Sequence, residues 1–450
     1  MNKTKLLSHC VGCPMSRRRF LATGCAACTG AAGVWAAPRV VRAAEVAAKP
    51  RIRVVYSLHA MVQPGPDWPN VGFDFAPVID RINAALAAGC PDFEFLTATA
   101  TGAEQAQKIL ADDATAGIDG YVVYQLNCWN QVIQTVAASG KPVLYADFQF
   151  AGSGGFLVYM AGFLRNQAPN VGFVASSNLD DLVAAVQCFK LVKAGASVGD
   201  FVAATARARI DSTPKPGDLT CTPDPIEFLP TDDLLSRLKA SKILAVRDQS
   251  SGPEGDVMGI PVIKVPFAEV NEAWSAADKD EVRAIADRWE KSAAKIVDVS
   301  RETLEQSAAM YLGEKAVLKK YDANAITINC LGGFYGGHIH AYPCLGFHEL
   351  NNEGLVGACE CDIASTATMT AFTALTQGRP GYISDPVIDT AKRQIIYAHC
   401  VASNRVFGPE GATNPFEILT HSEDRQGACV RSIFPLGYMT TSLKLANDRK

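Results

Sequence analysis

Residues 354–365 have the sequence GLVGACECDIAS, in which a small apolar run is followed by two carboxylates. The apolar run predicts a short buried strand. Side chains two positions apart on a strand point the same way, so we expect Glu360 and Asp362 to share one face and Cys361 to occupy the other. Two carboxylates on one face repel each other, share a proton or bind a cation, and we favour the cation.

Upstream of this stretch, β-branched runs alternate with segments of helical apolar spacing. Strands are predicted at 51–57, 93–97, 120–125 and 141–146, and a second series at 171–176, 200–204, 242–246, 260–265 and 325–330. Residues 267–320 are predicted to be helical throughout. Strands that alternate with helices at this spacing indicate an α/β fold with doubly wound parallel sheets.

From residue 354 onward, short β-branched pieces, Gly and Pro replace the helical charge runs. The sequence therefore predicts two Rossmann-like α/β domains, at 44–169 and 170–353, followed by a mostly β C-terminal domain at 354–450 with one helix near 364–375. Ligands of doubly wound sheets bind beyond the carboxyl ends of the strands. Asn127 and Trp129 follow the third predicted strand, so we expect them to bind substrate.

The first 43 residues are predicted to be an export signal. Residues 16–21, SRRRFL, fit the twin-arginine pattern, an uncharged run follows to residue 37, and the small residues Val41 and Ala43 precede a predicted cleavage point at Ala44. We therefore expect a partner in the twin-arginine export machinery and a periplasmic location. No stretch of the mature region reaches the roughly 18 uncharged apolar residues of a membrane span.

The mature chain is expected to be acidic. Removal of the signal would leave 35 Lys and Arg against 46 Asp and Glu, a net charge of −11. This charge argues against nucleic acid or an anionic membrane as a partner. It suits a protein that acts on a neutral small molecule, and a homo-oligomer is left open.

The cysteines predict reduced thiols more than a disulfide framework. Two CxxC pairs, at 10/13 and 25/28, flank the arginine motif of the signal, and we do not favour metal binding there. The other ten cysteines are scattered singly apart from Cys359 and Cys361, and several lie inside apolar runs. We expect these ten to be buried thiols.

Three histidine-bearing segments are candidates for chemistry. His338 and His340 have the HxH spacing that places both side chains on one face of an extended segment, a known metal-ligand geometry. His399 follows a predicted strand and precedes Cys400, so we expect it to bind a metal. His421 lies in a polar loop and is a candidate for substrate contact. Asp385 and Asp389 flank a proline and are interpreted as turn and cap residues.

An oxygen-rich site with one imidazole suits Mn²⁺ or Mg²⁺ better than a closed zinc site, although a zinc site that includes cysteine stays open. The candidate metal ligands are therefore Glu360, Asp362 and His399.

The C-terminal residues resemble the L-fucose isomerase-like sugar isomerases, on segments 343–344, 350–354, 358–362, 368–369, 398–400 and 421–423 together with Asp385. The resemblance covers roughly residues 326–445. It implies two Rossmann-like domains, a barrel-like β domain and a Mn²⁺ site between domains. It places the metal-binding Asp and His of the family on Asp362 and His399, and it implies aldose–ketose interconversion through an ene-diolate.

One carboxylate of the family pattern is absent. The family has it about two dozen residues before the Asp, where this chain has Phe334 to His338 and no acid. Either His338 or Glu360 takes its role, so Glu360, Asp362 and His338 are the candidate catalytic residues, with His340 as a substrate contact. The sequence thus predicts a metal-dependent sugar isomerase. An exported sugar-binding protein and a divergent periplasmic metalloenzyme acting on sugar derivatives remain the alternatives.

Overall fold

The computed structural model describes residues 48–150 and 154–445. The predicted export signal and its paired cysteines lie outside the described residues. Across the described ranges, no helix is both long and apolar enough to cross a bilayer.

The first sheet has five parallel strands in the order β2-β1-β3-β4-β5. They are β1 Arg51–Ser57, β2 Glu94–Ala100, β3 Gly120–Gln125, β4 Val143–Asp147 and β5 Val171–Val174. Ile52 and Val54 enter a cluster on one face of the sheet, whereas Val55 enters a second cluster on the other face. Both faces are buried, which is why the central strands are apolar at nearly every position.

Helices cover both faces of this sheet. They are Ala76–Gly89, Ala103–Asp113, Val132–Ala137, Gly155–Arg165, Leu179–Gln187, Phe189–Lys193 and Val198–Ser212. The strand predicted at 200–204 is wrong, because these residues lie in the last helix. Ser197 and Asp200 form a capping box at its start, and this local signal outweighs the β propensity of the valine and aromatic residues. Strand β5, which we expected in the second unit, pairs with β4.

The second sheet also has five strands, in the order β11-β10-β6-β8-β7. These are β6 Ile243–Val246, β7 Gly252–Val257, β8 Ile260–Val265, β10 Ala325–Ile328 and β11 Val356–Ala358. Only the edge pair of β7 with β8 is antiparallel. The prediction of two Rossmann-like α/β units is therefore confirmed, and the apolar run of the opening stretch is an edge strand of the second sheet.

The helices of the second unit are Thr231–Ala240, Phe267–Ser275, Lys279–Ser292, Arg301–Tyr321, Cys330–Tyr335, Cys344–Asn352 and Ile363–Leu375. Residues 267–320 are not helical throughout, because a short strand, β9 Lys295–Val297, interrupts them. Trp289 and Phe347 are fully buried in the large core that these helices form with the sheet.

The remaining strands form two small sheets. β12 Asp385–Asp389 and β13 Gln394–Ala398 make an antiparallel hairpin. β14 Phe416–Leu419 lies between β15 Cys429–Ser432 and β9. The described C-terminal strands are thus divided between separate sheets and close no barrel, since β11 has joined the second α/β sheet.

The hairpin connects the C-terminal part to the first α/β unit. The Thr390 amide donates to the Ala175 carbonyl at 3.0 Å, and the Gln149 side chain donates to the Ile388 carbonyl at 2.7 Å. Asp389 accepts from the Ser177 amide at 3.0 Å. These bonds hold the turn of the hairpin beside the carboxyl ends of β4 and β5.

Candidate metal centre

Three side chains that are distant in sequence converge where β11 ends and the hairpin begins. Ligand atoms of Glu360, Asp385 and His399 all lie within 4.8 Å of one another. His399 Nε2 is 3.6 Å from a carboxylate oxygen of Glu360 and 3.6 Å from one of Asp385. The side chain of His399 is 9% exposed and that of Glu360 is 39% exposed, so the group is buried on one side and open to solvent on the other.

The turn after β11 aims Glu360 at this group. The strand ends at Ala358, and Glu360 and Cys361 both have left-handed backbone, with φ of 63° and 54°. The expectation that Glu360 and Asp362 share a strand face is therefore wrong. Non-glycine residues in this conformation are uncommon and mark a tight reversal of the chain, which sends the two carboxylates in different directions.

Asp362 lies at the N-cap of helix Ile363–Leu375 and outside the group that Glu360 and His399 form. Its carboxylate accepts from the Ser365 amide at 3.0 Å and the Ser365 hydroxyl at 2.7 Å, and it pairs with Lys444 at 2.8 Å. Burial raises the pKa of Asp362, but Lys444 and Ser365 together lower it below its usual value. Its charge still contributes to the raised pKa of Asp385, so it is a close neighbour of the group.

Asp385 takes the third place in the group. It begins β12, and the pairing with Ala398 places it next to the end of β13, where His399 follows. Burial and the neighbouring Glu360 raise the pKa of Asp385 to about 6. Its interpretation as a turn residue missed this role, because strand pairing across the hairpin is not visible in the composition of the turn.

Cys400 orients the imidazole of His399. The Cys400 sulfur lies 3.3 Å from His399 Nδ1, while Nε2 faces the two carboxylates. A contact of this kind at one ring nitrogen holds the other nitrogen toward a ligand. Burial lowers the pKa of His399, but the Cys400 sulfur and the two carboxylates raise it well above its usual value. The surroundings of this ring therefore favour a positive charge.

Glu423 is a fourth acid beside the centre. It accepts a hydrogen bond from the Tyr335 hydroxyl at 2.9 Å, and burial raises its pKa, with contributions from Asp67 and Glu360. Glu423 lies in segment 421–423 of the family resemblance, but the sequence alone predicted no role for it. Its position next to His421 in a polar loop was the available signal.

His421 faces inward. It is 6% exposed and packs against the rings of Phe334 and Tyr342. Burial lowers its pKa, but the Asp424 carboxylate and the Cys400 sulfur together raise it to about 10. The ring is therefore placed toward the cysteines in the core and away from the open side of the centre.

His338 and His340 do not join the group. A turn at Gly336 and Gly337 follows helix Cys330–Tyr335, and the ring of His338 stacks on Phe267 at 5.6 Å. His340 meets Trp274 edge-on at 5.6 Å, and both histidines are exposed. The HxH segment is thus held against the helix Phe267–Ser275, which points its rings elsewhere.

Asn127 and Trp129 lie in the segment that follows β3 of the first α/β unit. The side chain of Asn127 is fully buried; it donates to Gln63 at 3.0 Å and to the Trp68 carbonyl at 3.1 Å, and it accepts from the His59 amide at 2.9 Å. Its amide is therefore used to hold a loop. Trp129 is 55% exposed, has φ of 63° and contacts Tyr159 edge-on, so its ring is accessible at the strand end.

Comparison with known proteins gives a partial match to one kind of enzyme. No protein-family model matches the chain. Sulfoquinovose isomerase of Priestia megaterium is 26% identical over 116 residues, which are 25% of this chain and 26% of that protein. Sulfoquinovose isomerase of Alkalicoccus urumqiensis is 25% identical over 159 residues, which are 34% of each protein. The chain thus matches a quarter to a third of the length of these relatives.

The likenesses to solved structures are slight. A XylFII–LytSN complex has a TM-score of 0.18 and 10% identity, with 76% of this chain and 99% of that chain covered. A regulatory protein of the LacI family from Chloroflexus aggregans has a TM-score of 0.17 and 12% identity, with 77% and 99% covered. Neither likeness is close enough to support an inference about the fold or function of this chain. The sequence matches alone indicate that the chain is distantly and partially similar to sugar isomerases.

Proposed function

We propose that the protein is a metal-dependent sugar isomerase that interconverts an aldose and a ketose. The observation that carries the proposal is the convergence of Glu360, Asp385 and His399 at an open edge, beside the carboxyl ends of parallel strands. The partial similarity to sulfoquinovose isomerases supports it. The substrate class is a monosaccharide, either plain or modified as in those relatives.

The donor set fits one divalent cation. Ligand atoms about 2.1 Å from an octahedral ion lie about 3 Å apart when adjacent and about 4 Å apart when opposite. The two separations of 3.6 Å lie between these two values, and both are longer than a hydrogen bond. Two carboxylates with one imidazole favour Mn²⁺ or a similar cation, which Glu360, Asp385 and His399 would hold. When bound, such a cation polarises a carbonyl or hydroxyl oxygen of a sugar.

Residues of the chain would then supply orientation and proton transfer. Cys400 fixes the ring of His399, so that Nε2 points into the centre. Glu423, which accepts a hydrogen bond from Tyr335, is an acid beside the group that does not belong to it. In this proposal Glu423 takes a proton from one carbon of the sugar and returns it to the neighbouring carbon, while a hydroxyl proton passes in the same direction, from the oxygen of the first carbon to the oxygen of the neighbouring carbon.

We further propose that the twin-arginine signal at residues 16–21 exports the folded chain to the periplasm. A folded export route would allow the metal to be bound before transport. Fusion of residues 1–43 to a reporter, with a matched Arg17→Lys and Arg18→Lys variant, tests this proposal, and a reporter that stays in the cytoplasm with the unaltered signal contradicts it.

Metal analysis of the purified chain tests the centre. We expect about one Mn²⁺ or similar ion per chain after reconstitution, with strong loss of binding in Asp385→Asn and in His399→Ala. Asp362→Ala is the matched control: it should lower the free energy of unfolding by about 1 kcal/mol through loss of the helix cap, and leave the ion bound. Loss of the ion in Asp362→Ala with retention in Asp385→Asn would reverse the assignment.

Solvent proton exchange tests the reaction. Sulfoquinovose and a panel of aldoses and ketoses are incubated with the reconstituted protein in deuterated water, and label at the carbon next to the carbonyl is followed by NMR. We expect exchange and isomer formation with at least one sugar. Glu423→Gln should lose both by 100-fold or more while it keeps the ion. Sugar binding without any exchange would favour the sugar-binding alternative.

A further inference from the structure

A second group of ligand-type side chains lies in the core next to the candidate centre. Cys344 begins the helix Cys344–Asn352, Cys400 follows β13, and Cys429 begins β15. Their sulfur atoms lie within 4.8 Å of one another. We call these three residues the thiol cluster. Cys344 and Cys429 are 1% and 3% exposed, and all three are free thiols.

The spacing of the thiol cluster suits a single ion. Thiolates at the Zn–S distance of about 2.3 Å on a tetrahedral ion lie about 3.8 Å from one another. The upper limit of 4.8 Å on the separations of the three sulfurs includes this value. Thiolates bound to different irons of an iron–sulfur cluster are farther apart, so the close packing favours a mononuclear site.

A buried imidazole beside the cluster supplies an independent observation. His421 is 6% exposed, and its Nδ1 atom is buried without a hydrogen-bond partner. Asp424 lies 3.5 Å from that nitrogen as an ion pair, and the Cys400 sulfur also acts on the ring. Because Nδ1 faces Asp424, the other ring nitrogen, Nε2, is the one that would bind an ion. A nearby carboxylate is the usual companion of a metal-binding histidine.

We propose that the thiol cluster and His421 form a closed structural site for Zn²⁺. Three cysteines and one histidine are one of the ligand sets of structural zinc, and thiolates select soft or borderline cations. Zn²⁺ with three thiolates leaves a net charge of −1, whereas Cu⁺ leaves −2, and the buried surroundings favour the smaller charge. Binding releases the protons of the thiols and one proton of the His421 imidazolium to solvent. The ion would tie β13, β15 and the helix Cys344–Asn352 together behind His399.

Cobalt substitution tests the site on the full chain. The protein is purified under reducing conditions, stripped with a chelator and titrated with Co²⁺. We expect thiolate-to-cobalt charge-transfer absorption that saturates at one equivalent and is abolished by one equivalent of Zn²⁺. Glu360→Gln combined with Asp385→Asn should keep this absorption, because the oxygen-rich centre has no sulfur ligand. A folded wild-type chain without the absorption overturns the proposal.

Variants and thiol protection give a second measurement. Cys344→Ser combined with Cys429→Ser should lose the absorption and one zinc ion, whereas Cys188→Ser, a cysteine outside the cluster, should keep both. If the double variant does not fold, alkylation of the wild-type chain decides. Mass spectrometry should show Cys344, Cys400 and Cys429 protected with Zn²⁺ and modified after chelation. Equal labelling in both states, or a disulfide between Cys359 and Cys400, whose sulfurs are 3.8 Å apart, overturns the proposal.

Discussion

Asp147 is a buried carboxyl group at the end of a strand. It closes β4, is 7% exposed, and burial raises its pKa to about 8. Burial raises the pKa of the nearby Tyr124 and Tyr145, and when Asp147 is ionised, its charge raises their pKa further. A carboxyl held in this way is protonated in the folded chain over most of the acidic and neutral range.

Asp147→Asn should make the free energy of unfolding less dependent on pH. The pKa of Asp147 in the folded chain lies above the ordinary 3.8. Its protonation therefore contributes fully to stability below about pH 4, and this contribution is lost as the pH rises through about 8. The loss is at most on the order of 5 kcal/mol between these limits. The amide mimics the protonated acid, so the variant should be the more stable protein at pH 8 and equal to wild type near pH 4.

Denaturant unfolding at pH 4, 6 and 8 measures this effect. Asp112→Asn, an exposed position on helix Ala103–Asp113, is the control and should follow the wild-type pH profile. Parallel profiles for wild type and Asp147→Asn would show that Asp147 is not protonated in the folded chain.

At the scale of elements, two helices of the second unit pack around a buried acid. Glu314 on helix Arg301–Tyr321 is fully buried, and both of its carboxyl oxygens lack a hydrogen-bond partner within the described residues. Burial raises its pKa well above the usual value. Gly346 on helix Cys344–Asn352 faces it, and a Cβ at that position would overlap the carboxyl group. Glycine here permits the close approach of the two helices.

Gly346→Ala should lower the free energy of unfolding by about 1–3 kcal/mol, because the methyl group forces the Glu314 carboxyl from its place. The double variant Gly346→Ala/Glu314→Ala should lose less than the sum of the two single variants, since the contact no longer exists. Denaturant unfolding of all four proteins measures the coupling. If the losses in the free energy of unfolding of the two single variants add up to that of the double variant, Gly346 and Glu314 do not interact.

At the scale of the whole molecule, the β12–β13 hairpin links the two α/β units through the candidate centre. Its first residue is Asp385, and its last strand leads into His399. Asp389, at the far end of β12, is 1% exposed and accepts the Ser177 amide of the first unit. The position of a proposed ligand thus depends on a contact with a unit that contributes no ligand.

Asp389→Ala should weaken binding of Mn²⁺ by roughly 10-fold or more, since removal of a supporting contact lets the hairpin and Asp385 shift. Asp389→Asn keeps an oxygen that accepts from Ser177 and is the matched control, with affinity close to wild type. Isothermal titration of both variants, with unfolding midpoints to confirm that each is folded, measures the difference. Equal affinities in the two variants would show that the hairpin holds Asp385 without this contact.

The sequence by itself determined the α/β class. Short apolar runs recur between helical segments, for example around Val54 and Val55 and around Ile326. Buried parallel strands have this pattern wherever they occur. It also predicted that the ten cysteines beyond the export signal are buried, and six of them are buried whereas four are half-buried. It drew attention to the segment around Glu360 and to His399, because polar groups at strand ends stand out against apolar surroundings.

Only the tertiary structure decided which side chains meet. Asp385 reaches Glu360 through hairpin register, and Asp362 turns away because two left-handed residues precede it. The scattered Cys344, Cys400 and Cys429 become one cluster for the same reason. Periodicity is a local property that each segment shows alone, whereas these contacts join residues up to 85 positions apart along the chain, and their distances are set by how sheets and helices pack.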